Sequence, residues 1–116
     1  MAVVRAPPQV RRWCFTLNNY DLHLNYKELF RNPIFNINRV VWGREVAPIT
    51  GTAHMQGYVE MFRTYRFSHM KAILPTAYWE IARGTAKQIF HYCTKGNDYD
   101  TIGNWTKEMN ASGEPS

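Results

Sequence analysis

Strand-like and helix-like segments alternate along this chain, yet several neighbouring strand segments are joined too tightly for parallel crossovers. Together these features predict an α+β fold, a mainly antiparallel sheet with two or three helices. Three observations carry the reading. Period-2 alternation of β-formers marks residues 11–17, 37–46 and 53–61. A short Pro48–Gly51 connection is of hairpin length. Apolar residues at helical spacing mark residues 67–74 and 86–95. With 116 residues there is room for one domain with a real core.

Taken in order, residues 1–10, with Pro7-Pro8, read as a flexible arm, and residues 11–106 as the domain. Arg11 to Leu17 is a strand with Trp13, Phe15 and Leu17 on one face and Cys14, Thr16 and Asn18 on the other. Asn18-Asn19 and Asp21 signal a turn. Tyr26 to Phe30 is a short helix, stopped by Asn32-Pro33. Ile37 to Val46 is the second strand, with Val41, Gly43 and Glu45 sharing a face. Ala53 to Met61 is the third; folded back as a hairpin, it sets Glu45 beside His54.

After Met61 the pattern turns helical, with Phe67, Met70, Lys71 and Leu74 on one side and Pro75 beyond the end. Ala77 to Arg83 returns to strand, with Trp79 and Ile81 on one face, and Gly84 breaks it. Thr85 is an N-cap for a helix from Ala86 to Lys95, with Gly96 at its C-terminal cap. Ala86, Ile89, Phe90 and Cys93 make its apolar stripe, and Gln88, Tyr92 and Lys95 a separate polar one. Tyr99 to Trp105 reads as a last edge strand, and residues 107–116 as a polar tail or linker.

A net charge of +5 and a pI near 9.4 point to an anionic partner, nucleic acid above all. Two cysteines, Cys14 and Cys93, make no disulfide scaffold, and the chain reads as intracellular. No apolar run approaches the ~20 residues of a membrane span, and no hydrophobic signal region opens the chain. No GxxxxGK string is present, which removes a P-loop ATPase from these residues.

The chemistry centres on the third strand. Side chains two apart point to one face, with Cα atoms about 6.5–7 Å apart, so His54 and Gln56 project together. An imidazole nitrogen beside an amide oxygen is a partial shell for a divalent cation. Such a shell needs a carboxylate, and Glu45 and Glu60 are both candidates. One nitrogen and two oxygens suit Mn²⁺ or Mg²⁺. His-x-Gln alone is short enough to be two solvated polar residues. A zinc site from Cys14, Cys93, His54 and His91 has no CxxC or HxxxH spacing behind it.

Tyr92 is either one surface tyrosine among seven or a nucleophile. A phenol with a pKa near 10 needs a cation or base nearby to attack a phosphodiester. Lys95, one turn on, is placed to steady the phosphate charge. Arg11, Arg12, Arg63, Arg66, Arg83 and Lys87 are scattered and singly read as solvated charges. Thr16, Asn18 and Asn19 can hydrogen-bond phosphates or bases, or simply make a turn.

Three blocks, in order, are far more specific together. Cys14-Phe15-Thr16-Leu17-Asn18-Asn19 resembles the first motif of the replication initiator (Rep) proteins of circular single-stranded DNA viruses. His54-Met55-Gln56-Gly57-Tyr58 resembles their second, the H-x-Q variant of the paired-histidine (HUH) site, as in circovirus- and nanovirus-like members. Tyr92-Cys93-Thr94-Lys95-Gly96 resembles their third, Y-C-x-K. The resemblance spans roughly residues 11 to 100.

The resemblance implies a central five-stranded antiparallel sheet with flanking helices, in an RNA-recognition-like arrangement. It implies a nick in single-stranded DNA at an origin stem-loop, with Tyr92 joined to the 5′ phosphate and the free 3′-OH priming rolling-circle synthesis, then rejoining. Glu45, His54 and Gln56 would hold the metal, the family pattern and the hairpin favouring Glu45 over Glu60. Lys95 would assist Tyr92, and the first motif would place Thr16 and Asn18 near the DNA; Arg12 and Arg83 are further candidate DNA contacts. A downstream helicase domain, assembly into an oligomer through regions outside these residues, and work in the host nucleus are also implied. The competing reading is a non-catalytic single-strand binding module of the same sheet type.

Overall fold

The computed structural model describes residues 7–110. Five strands, β1 (Val10–Asn18), β2 (Ile37–Val46), β3 (Ala53–Tyr65), β4 (Tyr78–Ile81) and β5 (Tyr99–Ile102), form one sheet in the order β4-β1-β3-β2-β5. Every neighbouring pair is antiparallel. Four helices accompany them: α1 (Tyr26–Arg31), α2 (Phe67–Ile73), α3 (Ala86–Cys93) and α4 (Thr106–Met109). The run β1-α1-β2-β3-α2-β4 follows the split βαβ plan, and β5 extends the sheet beyond β2. The α+β class, the five strands and the antiparallel pairing agree with the sequence reading.

Strand alternation divides the side chains between two faces. Trp13, Phe15, Leu17, Val40, Trp42, Met55, Val59 and Trp79 pack against Tyr26 and Phe30 of α1 and Met70 and Ile73 of α2. Phe15 shows why a glycine stands opposite it in β3. A Cβ on Gly57 would lie 2.0 Å from its ring, so the ring fills the space a side chain there would need. The opposite face carries a smaller cluster, in which Val41 and Tyr58 meet Phe90 and Cys93 of α3 and Trp105.

The helix ends have local causes. Asn25 caps α1, its side chain accepting from Glu28 N at 3.0 Å. Thr85 caps α3 through a full capping box with Gln88. The β2–β3 connection closes with Ala47 N donating to Thr52 O at 2.9 Å, and Gly51 supplies a φ of +70°.

Several boundaries differ from the sequence reading. The third strand runs on to Tyr65, because Phe62 N still donates to Asn36 O and Tyr65 still pairs with Val10. That extension is largely exposed, so no alternation marks it. The fourth strand is confined to Tyr78–Ile81. The last strand stops at Ile102, where Gly103 takes a φ of +97°, and Trp105 then turns into the core. Helix α3 ends at Cys93 with Thr94 as cap; the left-handed residue is Asn97, not Gly96.

The strand expected from Arg11 begins at Val10, and most of the arm expected over 1–10 lies outside the described residues, as does most of the tail expected over 107–116. Residues 107–109 belong to α4, and Glu108 is buried. Arg39 holds it there. Its guanidinium lies 3.9 Å from the Trp105 ring and bridges Glu60 and Glu108, each at 2.9 Å. Hydrogen bonds from Arg39 and from the Tyr58 hydroxyl outweigh burial and hold the Glu60 carboxyl below the usual carboxylate range. The Arg39 hydrogen bond likewise outweighs burial at Glu108.

Candidate active site

Register alone assembles the site. On the α3 face, Asn18 of β1 lies opposite His54 of β3, and His54 opposite Glu45 of β2. The next row on that face runs Tyr78, Thr16, Gln56, Gly43, Tyr99. The row beyond runs Glu80, Cys14, Tyr58, Val41, Thr101. A helix crossing this face meets polar side chains at one end and apolar ones at the other.

His54 Nε2 lies 3.6 Å from Glu45 Oε1, and both side chains are four-fifths covered. Two donors bound to one cation at about 2.1 Å each stand about 3–3.5 Å apart, so a shared divalent ion would need the pair to close only slightly. Gln56 projects from the same face of β3 one pair along, its Oε1 accepting from Thr16 Oγ1 at 3.2 Å. A carbonyl oxygen keeps a second lone pair for a cation. Imidazole nitrogen, carboxylate and amide oxygen are donor types that could hold Mn²⁺ or Mg²⁺.

Among the described residues no three His, Cys, Asp or Glu side chains cluster as metal ligands. The His54, Glu45, Gln56 set contains only two of those types. The zinc alternative fails on the same ground. Burial pushes the Cys14 thiol up to about 11, with Glu80 adding to it, and the Cys93 thiol up to about 12. His91 Nε2 is buried without a hydrogen-bond partner. Glu60, the other candidate carboxylate, is committed to Arg39 and Tyr58. Glu45 is the carboxylate beside His54.

Helix α3 brings Tyr92 to this face. Its C-terminal turn sits on Gly43, where a Cβ would lie 1.8 Å from the Cys93 carbonyl oxygen, so only glycine permits the approach. Cys93 and Phe90 face inward, and Tyr92 is 53 % exposed. Lys95 lies past the helix end, yet its Nζ sits 3.8 Å from the Tyr92 ring centroid and 2.6 Å from Glu45 Oε2. The ammonium thus joins the phenol to the carboxylate beside His54. A cleft of about 360 Å³ opens between α3 and the sheet, lined by Tyr92, Thr16, Gln56, Cys14, Glu80 and Gln88.

The expected DNA contacts divide. Thr16 lines the cleft, and Asn18 is exposed at the strand end next to His54. Arg83 is exposed in the β4–α3 loop. Arg12 is tied down: its Nε donates to Tyr58 Oη at 2.8 Å and its guanidinium to the Gly84 carbonyl. Sequence alone assigns no role to Gly43, Glu80 or Arg39. A glycine inside a strand of β-formers was the available signal for the first. The other two depend on pairings between distant segments.

Residues 10–96 match the family model described as "Putative viral replication protein". The chain is 39 % identical over 98 residues to the replication-associated protein of Canary circovirus, covering 84 % of this chain and 33 % of that protein. It is 40 % identical over 101 residues to Para-Rep C2 of Milk vetch dwarf C2 alphasatellite, covering 80 % and 33 %. It is 36 % identical over 97 residues to the master replication protein of Milk vetch dwarf virus (isolate N), covering 84 % and 31 %. The chain therefore spans about a third of the length of these relatives.

Proposed function

The chain belongs to the viral replication protein family, and from that membership we propose that it is the endonuclease domain of a rolling-circle replication initiator. In this reading it nicks and rejoins single-stranded DNA at an origin stem-loop through a tyrosine. The observation that carries the reading is the chain of contacts from Tyr92 through Lys95 to Glu45 and His54 on one face of the sheet.

Tyr92 Oη attacks the scissile phosphorus. The Oη–P bond forms, the P–O3′ bond breaks, and the phenolic proton is balanced by the proton that the leaving 3′ oxygen takes up. The products are a 5′-phosphotyrosine and a free 3′-OH. Attack by a 3′-OH on that phosphotyrosine reverses the step and rejoins the strand. Lys95 places a positive charge beside the phenol and the transferring phosphate. Thr16 orients Gln56. Glu45, His54 and Gln56 would hold Mn²⁺ or Mg²⁺, whose contribution is to polarise the phosphate. Thr16, Asn18 and Arg83 would lie along the strand, with Arg12 bracing the sheet beneath it.

Incubation of a labelled single-stranded origin stem-loop with the protein and Mn²⁺, followed by a denaturing gel, tests this. A protein–DNA adduct is expected, lost in Tyr92→Phe with binding retained. Metal-independent binding without a covalent product would instead make the chain a single-strand binding module. The same reading supplies the rest of the biology: a helicase domain elsewhere in the full-length protein, assembly through such regions, and work in the host nucleus.

A further inference from the structure

The cleft beside Tyr92 contains a group that a DNA-binding surface would be expected to avoid. Glu80 lies on its β4 wall, exposed, and among the described residues its carboxylate makes no hydrogen bond or ion pair. A free carboxylate repels phosphate, so the sugar–phosphate backbone is turned away from this end of the cleft. What a carboxylate does accept is a hydrogen-bond donor, and on DNA the donors are on the bases.

The facing wall carries the complementary group. Gln88 Oε1 accepts from Thr85 N at 3.0 Å, and Gln88 N donates to Thr85 Oγ1 at 3.1 Å. The capping box therefore fixes the amide and leaves its NH₂ group free of that bond. The cleft thus offers a free acceptor on β4 and an oriented donor on α3, with Ile89 adding apolar lining. Its volume, about 360 Å³, is at the small end for a ligand site, enough for one base and too small for a duplex.

We propose that Glu80 and Gln88 form a base-reading pocket for the nucleotide next to the phosphate that Tyr92 attacks, selecting a base with an exocyclic amino group and rejecting thymine. The inference rests on the nicking reading above and names part of its substrate. Adenine, cytosine and guanine each present an amino donor to the carboxylate, with an adjacent ring nitrogen or carbonyl left for the Gln88 amide. Thymine presents a single N3–H between two carbonyl oxygens, so Glu80 would meet acceptors on both sides.

The test selects a randomised pool of single-stranded DNA on the Tyr92→Phe protein, which binds without turnover, and sequences what is retained. Sequencing the adducts of the unaltered protein locates the scissile phosphate. The expected result is depletion of thymine by about 10-fold or more at one position flanking it. Glu80→Gln, which adds a donor, should abolish the depletion at that position alone, with thermal stability unchanged. Depletion that survives both Glu80→Gln and Glu80→Leu, or no depletion of thymine at any flanking position, overturns the pocket. The two readings fail separately. If Glu80→Gln shifts base choice but the unaltered protein forms no adduct on the selected sequences, the nicking reading falls. If adducts form and thymine is untouched, only the pocket falls.

Discussion

The two faces of the sheet use the same strands for opposite purposes. On the α1/α2 face, aromatic rings fill the space continuously: Phe15 lies 5.0 Å from Trp79 and 5.9 Å from Phe30, and Phe30 5.0 Å from Trp42. On the α3/α4 face, Tyr58, Phe90 and Trp105 cover one half, and the other half is left to Glu45, His54, Gln56 and the cleft. The difference teaches where cost can be tolerated. A continuous core on one side supplies the stability that lets a row of polar groups stand partly covered on the other.

The largest expected contrast is Tyr92→Phe against Phe15→Ala. The first should remove the covalent adduct altogether and shift stability by less than about 0.5 kcal/mol, as removing an exposed hydroxyl does. The second should cost about 3–5 kcal/mol, measured by urea unfolding. Equal destabilisation by the two would break the division of labour.

Gly43→Ala probes the join between the faces. Its new Cβ must displace the end of α3, at about 1–3 kcal/mol. A small displacement of Tyr92 should also slow adduct formation, by roughly 100-fold. Loss of stability with an unchanged adduct rate would show that α3 can move without moving the phenol.

Acid should loosen the α3/α4 face first. Glu60 and Glu108 have carboxyl groups held below their usual values, by Arg39 above all. Their contribution is present above the ordinary carboxylate range and is lost as pH falls through the lowered folded values. Thermal midpoints should therefore drop on acidification below about pH 4.5, the ordinary value. Arg39→Leu should lower stability at neutral pH and flatten that drop. The smallest effect expected is Thr85→Ala, about 1 kcal/mol from loss of the α3 cap, seen as faster amide exchange at Gln88.

Much of this division was legible in the residues. Trp13, Phe15 and Leu17 against Cys14, Thr16 and Asn18 gave the two faces directly, and a tight connection placed Glu45 opposite His54. Periodicity reports which residues share a side, so it found the site's rows. It does not report which distant segments meet. Arg39 with Glu108 is separated by most of the chain, and Trp105 fills the α3 face from beyond the last strand. Gly96 resembles a cap, which in sequence extends α3 past its true end at Cys93. Its smallness serves another purpose: a Cβ there would lie 3.3 Å from Glu45 Cγ.

Strand β3 is hemmed in on both sides, by β1 and by β2. Along it, Met55, Gly57 and Val59 are buried, and the polar His54 and Gln56 alternate with them. Were it to slide by a single place, Met55 would emerge where His54 stands and an imidazole would be driven among the tryptophans. The alignment of His54 and Gln56 with Glu45 is thus guarded by residues buried on the other face.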